Sequence, residues 1–455
     1  MDVVQQLEVV GRDGATYDAL RAVFNGMIDR RPAMIVRCSS AQDVSAALAT
    51  ARENGLSVSV YGGGHGVTGA AVCDDGLCID LRPMQGVEID PLARTARVEG
   101  GATWGLVDAA AQEFGLAVTG GRISTTGVGG LTLGSGSGWL ERSLGFTCDS
   151  LLAAEVVTAD GRQVVASEVE HPDLFWALRG GGGNFGIVTA FHFRLHQVGP
   201  IVLGGMLLYP AAAGSELVRT YRDFMQTAPD AIGSGLSFIT APPMDGIPAS
   251  MVGRPAIGIV VCGTGPLERA AEALRPLREA APPTVDLVAP MPYVAVQQLL
   301  DDANSHGLRN HWSADILADL PDEAVDALVA HATAPVSPLT TIILIPGGGA
   351  PARVDDDATA FGARQAPWNV HFLSMWADPG DDERNIAYTR AIATAMKPWA
   401  SGAVYLNYIG DEGAARIRGA FSATTYERLR TIKSVWDPDN VLHHNHNIPP
   451  GQVDV

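Results

Sequence analysis

The chain has 455 residues, 47% apolar and 18% charged, with a formal net charge of −19. That length exceeds one ordinary hydrophobic core, so two or three domains are expected. The acidic balance excludes nucleic acid and anionic membrane surfaces as partners, because both require a basic footprint. Cys38, Cys73, Cys78, Cys148 and Cys262 are scattered without C-x-x-C spacing, the pattern of reduced, buried thiols with no structural metal. Met1–Gln6 carry no export signal and no apolar run reaches membrane-spanning length, so the chain reads as soluble and cytoplasmic.

Ile35–Cys38 reads as a short strand. Ser39 or Ser40 then caps a helix from Ala41 to Asn54, whose apolar residues Val44, Ala47, Leu48 and Ala51 recur three or four apart before Gly55 ends it. The β-like run Leu56–Val60 empties into Tyr61-Gly62-Gly63-Gly64-His65-Gly66-Val67-Thr68-Gly69. Glycines this dense let the backbone take positive φ and approach a ligand, and successive N–H groups form a nest for an anion such as pyrophosphate. Gly64, Gly66 and Gly69 match G-x-G-x-x-G formally, but the dinucleotide motif must open a helix. A turn at Asp74-Asp75-Gly76 and a strand, Leu77–Leu81, follow instead. The loop is a phosphate cradle of another kind. Paired strands, Gly86–Asp90 and Thr95–Glu99, precede a helix capped by Thr103 and running to about Phe114.

A second glycine concentration runs from Gly120 to Gly130 and on to Gly138-Trp139. It reads as a loop wrapped on a flat ligand, because helices and strands carry so many glycines only at a cost. Leu152–Thr158 and Gln163–Ala166 form a hairpin through Asp160-Gly161, and His171–Leu178 is a short helix. The third cluster, Gly180–Gly186, leads into the strand Ile187–Leu195. Three such loops, each between strands, suit one extended cofactor. After Gly199-Pro200, strand-like runs (Ile201–Tyr209, Gly235–Thr240, Ala256–Cys262, Thr340–Ile345, Val370–Trp376) alternate with helical ones (Glu216–Thr227, Leu267–Ala281, Asp322–Ala332, Glu383–Met396). This is an α+β pattern whose sheet is large enough to roof a pocket. A helix, Tyr426–Val435, precedes the cluster His443-His444-Asn445-His446-Asn447, which lacks carboxylate or cysteine partners at metal-ligand spacing.

The glycine loops stand in a fixed order with Val98–Ala102, Pro172–Thr189, Tyr405-Leu406-Asn407-Tyr408, Trp436–Val441 and Asn447-Ile448-Pro449-Pro450. From about Arg31 to Pro450 this set resembles the FAD-linked oxidases of the berberine bridge enzyme-like type, in the vanillyl-alcohol oxidase (PCMH-type) superfamily. The resemblance implies an α+β fold with a two-part, PCMH-type FAD-binding domain over residues 1–199, of which about 30–198 carry the fold. It implies a substrate domain over 200–415 whose large antiparallel sheet roofs the active site, and a C-terminal segment, 416–455, returning to the FAD domain.

The same resemblance assigns cofactor contacts. Gly62, Gly63, Gly64, Gly66, Val67 and Gly69 would hold the pyrophosphate, with His65 bonded to the 8α carbon of the flavin. Gly121, Thr125, Gly127, Gly129 and Gly130, then Gly134 and Gly138, would follow the FAD along the second loop. Gly186, Ile187 and Val188 would line it from the third, and Asn445 and Asn447 from the C-terminal loop, which would contact the flavin domain. Many relatives carry a second flavin link through a cysteine four residues before the Gly-Val-Gly-Gly run. That position is Ile123 here and Cys148 lies too far along, so a single covalent linkage is expected. Phe361-Gly362-Ala363-Arg364 replaces a Phe-Pro-His-Arg signature, and Trp312-Ser313-Ala314 a Trp-Lys-Ser run, removing the usual polar pocket residues.

Strand alternation over 405–408 puts Tyr405 and Asn407 on one face and Tyr408 on the other, and the resemblance turns the first pair to the flavin. Tyr405, with Asn407, is the expected proton manager, although a phenol with pKa near 10 needs a cation or the flavin's field to act as a base. Across the pocket, Trp368–Trp376 shows Asn369, His371, Leu373 and Met375 on one parity and Trp368, Val370, Phe372, Ser374 and Trp376 on the other. His371 is a base candidate only if the first parity faces inward, and His311 is a weaker one. The expected function is an FAD-dependent oxidase taking hydride from an alcohol or amine carbon of a small, fairly apolar molecule, with O2 reduced to H2O2. A monomer or homodimer is expected. The alternatives are an oxygen-insensitive dehydrogenase, a biosynthetic oxidative cyclase or monooxygenase, and a non-catalytic FAD-binding protein.

Overall fold

A computed structural model describes residues 7–451, so the reading of Met1–Gln6 lies outside the described residues. The helix Ala41–Glu53 starts where Ser40 accepts a hydrogen bond from the Asp43 N–H. Its face of Val44, Ala47, Leu48 and Ala51 packs on the parallel strands Met34–Arg37, Leu77–Asp80 and Val58–Tyr61. Glu8–Gly11 adds an antiparallel strand beside Met34–Arg37. Val58–Tyr61 forms the far edge of this sheet, and its end opens directly into Gly62.

A second sheet is antiparallel, in the order Val87–Asp90, Thr95–Glu99, Ile187–Arg194, Leu151–Val157, Gln163–Ser167. Its core takes in Trp104, Val107 and Ala111 of the helix Trp104–Gln112, and also Leu429, Ile432 and Trp436 of the helix Ala423–Trp436. The chain's last helix therefore shares a core with strands from its first half. Lys433, fully buried, fastens it by donating to the carbonyls of Asn184 (2.7 Å) and Leu442 (3.1 Å) and to the Asp437 carboxylate (2.6 Å).

The third sheet has eight antiparallel strands. Val285–Asp286, Ile201–Pro210, Pro255–Gly263, Ile232–Thr240, Thr341–Pro346, Trp368–Trp376 and Arg309–Leu317 follow one another, with Ala289–Pro292 paired to Ile201–Pro210. Period-two alternation divides its faces. Leu236, Ile259, Ile342, Leu344, Val370 and Phe372 enter a core with the helices Gly214–Thr227, Leu267–Ala280, Asp322–Ala332 and Asp382–Met396. The opposite parity, including Ile343, Ile345, His371 and Leu373, lines a cavity. All five cysteines are free and buried, and among the described residues no helix is long and apolar enough to cross a membrane.

Two local expectations fail. Val128–Leu133 is a short helix inside the stretch read as loop. Its glycines serve close packing: a Cβ on Gly129 would stand 3.2 Å from the Gly100 carbonyl, and one on Gly127 would stand 2.5 Å from Gly63 N. Leu406–Tyr408 is a 3-10 turn and not a strand, closed by the Tyr408 N–H donating to the Tyr405 carbonyl at 2.9 Å. With three residues per turn, positions 405 and 408 come to the same side. Tyr408 therefore lines the cavity together with Tyr405 and Asn407.

Candidate active site

The cavity occupies about 970 Å³ between the three glycine loops, the 405–408 turn and the eight-stranded sheet. Gly62, Gly63, Gly64, Gly66 and Val67 line it from the first loop, and Gly121, Gly127, Gly129, Gly130 and Gly134 from the second. Gly186, Ile187 and Val188 line it from the third, and Asn445 from the C-terminal loop. Four predicted contacts, Gly69, Gly138, Asn447 and Thr125, lie off the wall. A Cβ on Gly69 would meet Ile28, one on Gly138 would meet the Gly120 carbonyl, and Asn447 buries an unpartnered Oδ1 outside the cavity. Thr125 is placed through His65 instead of on the wall. The C-terminal cluster docks on the third loop, where Asn445 donates to the Gly183 carbonyl (3.2 Å) and Asn184 to that of His446 (3.2 Å).

His65 is fixed on three sides. Its ring stacks on Phe24 at 4.2 Å and 20°, meets His306 edge-on at 5.4 Å, and brings Nε2 within 2.9 Å of Thr125 Oγ1. Burial, with a smaller contribution from His306, pushes its pKa down to about 3. The imidazole is neutral, which is its nucleophilic form. Ile123 lines the same cavity, whereas the Cys148 thiol is buried away from it, with its pKa pushed up chiefly by burial.

At the other end, the Tyr405 oxygen accepts from the backbone N–H of Gly136 (2.9 Å) and of Ser137 (3.0 Å) and from Asn407 Nδ2 (3.1 Å). Asn407 is oriented by donating also to the Leu131 carbonyl at 3.1 Å. Burial raises the Tyr405 pKa and Tyr408 adds to it, while Ser135, Asn407 and Gly136 oppose them. Tyr408 stacks on His371 at 4.2 Å and 8°, and its hydroxyl accepts from Arg122 Nη1 at 2.7 Å. Burial raises the Tyr408 pKa as well, with Arg122 the largest opposing influence.

His371 faces inward on the first of the two parities, its Nε2 buried without a partner. Burial, then Arg122, holds its pKa well below the usual histidine range. His311 lies on the other parity of its strand from cavity-lining Trp312, which removes it as a base.

Sequence reasoning missed Arg122. It is buried at 9% exposure, donates to Ser137 Oγ (2.9 Å) and the Gly138 carbonyl (3.3 Å), pairs with Glu141 (3.4 Å) and lies 4.8 Å above the Trp139 ring. Burial disfavours its charge, but Tyr408, Glu141 and Tyr405 more than offset that. Exposure is the usual fate of a loop arginine, so the sequence offered no signal for Arg122; its burial follows from the pairing with Glu141 and Tyr408. Phe24 and His306 left no signal, because neither stands near His65 in the chain.

Comparison with known proteins gives the class. The family described as FAD binding domain matches residues 32–167, and that described as Berberine and berberine like matches residues 404–449. (R)-6-hydroxynicotine oxidase of Paenarthrobacter nicotinovorans is 30% identical over 463 residues, covering 98% of this chain and 97% of the relative. The crystal structure of 6-hydroxy-D-nicotine oxidase from Arthrobacter nicotinovorans superposes with a TM-score of 0.87 at 29% identity, over 98% of both chains. Glucooligosaccharide oxidase of Acremonium strictum, described with a 6-S-cysteinyl, 8α-N1-histidyl FAD, shares the fold with a TM-score of 0.86 at 24% identity over 98% of both chains.

The chain belongs to the berberine bridge enzyme-like family and is an FAD-linked oxidoreductase with a PCMH-type FAD-binding fold.

Proposed function

We propose that the protein is an oxidase that removes hydride from an alcohol or amine carbon of a small, fairly apolar molecule and uses dioxygen as the electron acceptor. In this reading residues 1–199 hold FAD, 200–415 hold the substrate and 416–455 return to the FAD-binding part. The cavity fits the cofactor. Gly66, Gly130 and Gly183 all line it, yet a Cβ at any of the three would find no atom within 4 Å, so the space beside them is kept for a ligand. Backbone N–H groups of the first loop are suited to hold the pyrophosphate, and neutral His65 at its centre is suited to carry the flavin by a single covalent bond. Ile123, at the wall where the doubly linked relatives have cysteine, supplies no second nucleophile.

When bound, FAD supplies the hydride acceptor and lets dioxygen take up two electrons and two protons as hydrogen peroxide. The residues of the chain manage the substrate and its proton. The observation that carries the reading is the Tyr405 oxygen, which accepts three N–H donors in the cavity wall. Such a donor set favours negative charge on the phenol oxygen and opposes the effect of burial. Tyr405 would act as the phenolate, which these three donors and the field of a bound flavin favour against burial. In that form it would take the hydroxyl or amine proton, with Asn407 holding the oxygen in place. His371 stays neutral, and its unpartnered Nε2 orients the substrate heteroatom.

Acid precipitation of the purified protein, with peptide mass mapping of the pellet, tests the linkage. The expected result is yellow colour retained in the pellet on a peptide containing His65 alone. Flavin released to the supernatant would end the covalent assignment. Peroxide formed under air with an alcohol or amine substrate, set against turnover only with an artificial dye, separates oxidase from dehydrogenase.

A further inference from the structure

The cavity continues past the Tyr405 end beneath the eight-stranded sheet, and that roof is aliphatic. Met206, Ile239, Val260, Ile343, Ile345 and Leu373 face it from five strands, against the polar Ser237, Thr240, Thr341 and His371. Leu299 and Leu300 extend the band. It ends at two loops whose cavity-lining residues Met244 and Leu339 stand 40% and 37% exposed, forming apolar lips at the mouth. Among the described lining residues the carboxylate is Asp302, on an exposed turn, and the guanidinium is Arg122, already engaged by Tyr408, Ser137, Gly138 and Glu141. An ammonium tail would find no counter-charge under the roof. A sugar would bury several hydroxyls without partners, at a cost for each. One polar atom does wait there: Nε2 of His371, a residue 3% exposed, has no hydrogen-bond partner.

Resting on the oxidase reading above, we propose that the substrate is a neutral alcohol with an extended aliphatic tail. Its hydroxyl bonds to His371 beside Tyr405, and its tail runs under Met206, Ile239 and Ile343 to leave between Met244 and Leu339. Oxidation converts the carbinol C–H and O–H to a carbonyl. The carbinol carbon gives up hydride and the hydroxyl gives up a proton, which Tyr405 takes as the phenolate held by Gly136, Ser137 and Asn407. FAD, when bound, would accept the hydride, and dioxygen would take up the two electrons and two protons as hydrogen peroxide.

Two assays on the FAD-loaded protein test this. The first measures turnover of trans-2-alken-1-ols of increasing chain length. Each buried methylene should raise kcat/KM about fourfold until the tail reaches the lips, and a terminal carboxylate or ammonium should cancel the gain. The second measures binding of saturated 1-alkanols by quenching of tryptophan fluorescence, with Trp312→Phe as the blank because Trp312 lines the cavity. Affinity should climb by the same factor, and Met244→Asp with Leu339→Asp should weaken long alkanols and leave short ones unchanged. Flat dependence on length in both assays, or preference for polyhydroxylated or charged tails, overturns the proposal. Length-dependent binding without turnover of any alcohol supports the tail site and defeats the oxidase reading. Turnover of short alcohols and amines with no length dependence does the reverse.

Discussion

The two walls of the cavity are made of different material. The wall assigned to FAD is mostly backbone: glycines of three loops that touch one another, as Gly63 and Gly127 do. The roof is side chain, a strand parity of aliphatic residues over an open space. Backbone walls admit almost no substitution, because a Cβ would enter a neighbouring backbone, as at Gly63 and Gly127, or the space kept for the ligand, as at Gly66, Gly130 and Gly183. Side-chain walls admit changes of volume at a graded cost, which leaves substrate choice free to vary over a fixed cofactor site.

Gly127→Ala should give the largest effect. Its Cβ would enter the Gly63 backbone, and neither loop has a flexible side chain to yield. We expect a loss of about 3 kcal/mol or more and little yellow soluble protein, read by thermal melting and by the flavin absorbance. Tyr405→Phe comes next and should separate chemistry from construction. The variant should retain FAD while kcat falls about 10²- to 10⁴-fold. A fall below tenfold would remove Tyr405 as the proton acceptor.

Arg122 sits where the two walls meet. Arg122→Met leaves the buried Glu141 carboxylate with only the Ser137 and Gly138 donors and should cost about 3 kcal/mol, the lower end for a broken buried pair, by denaturant melts. Adding Glu141→Gln should recover most of that loss if the pair is the reason for it, and no recovery would assign the cost to the lost bond to Tyr408. Ile343→Ala in the roof should be milder, near the lower end for such a truncation at about 2 kcal/mol, because the side chain already borders open space. FAD content should not change, and KM for an apolar substrate should rise severalfold.

The same contrast explains what was legible in the sequence. Much of the glycine-built wall could be anticipated from glycine density and the family resemblance, although Gly69 and Gly138 pack against Ile28 and the Gly120 carbonyl off the wall. The helix at Ala41–Glu53 and its Ser40 cap followed from spacing, and the long strands of the third sheet from their composition. The roof could not be read, because alternation along Trp368–Trp376 does not say which parity meets solvent, cavity or helix. That is decided by where the four covering helices pack. Tyr-Leu-Asn-Tyr misled because its β-like composition folds as a tight turn, which moved Tyr408 into the site. Val128–Leu133 misled in the opposite direction: its glycines are there for the neighbouring backbones, and the segment is helical in spite of them.

The smallest of these effects lies at a joint between the two regions. Asp108, on the helix Trp104–Gln112, is buried against Gln297 of the helix Tyr293–Gln297. Gln297 Nε2 donates to Asp108 Oδ2 and to the Gly121 carbonyl, both at 3.1 Å, so the acid is tied to the second glycine loop. Burial raises the Asp108 pKa to about 7, opposed by the bond from Gln297. A carboxyl raised in the folded state binds more protons there than in the unfolded chain between its ordinary pKa near 3.9 and about 7, so stability falls as pH rises through that window. Above about 7 both states are ionised and the penalty is constant. Asp108→Asn keeps the shape and removes the titration. It should be about 1 kcal/mol or more stabilising at pH 8, with the gain shrinking to nothing near pH 4, as read from melting temperatures across the range. A gain that does not vary with pH would mean that Asp108 holds the two helices together by shape alone.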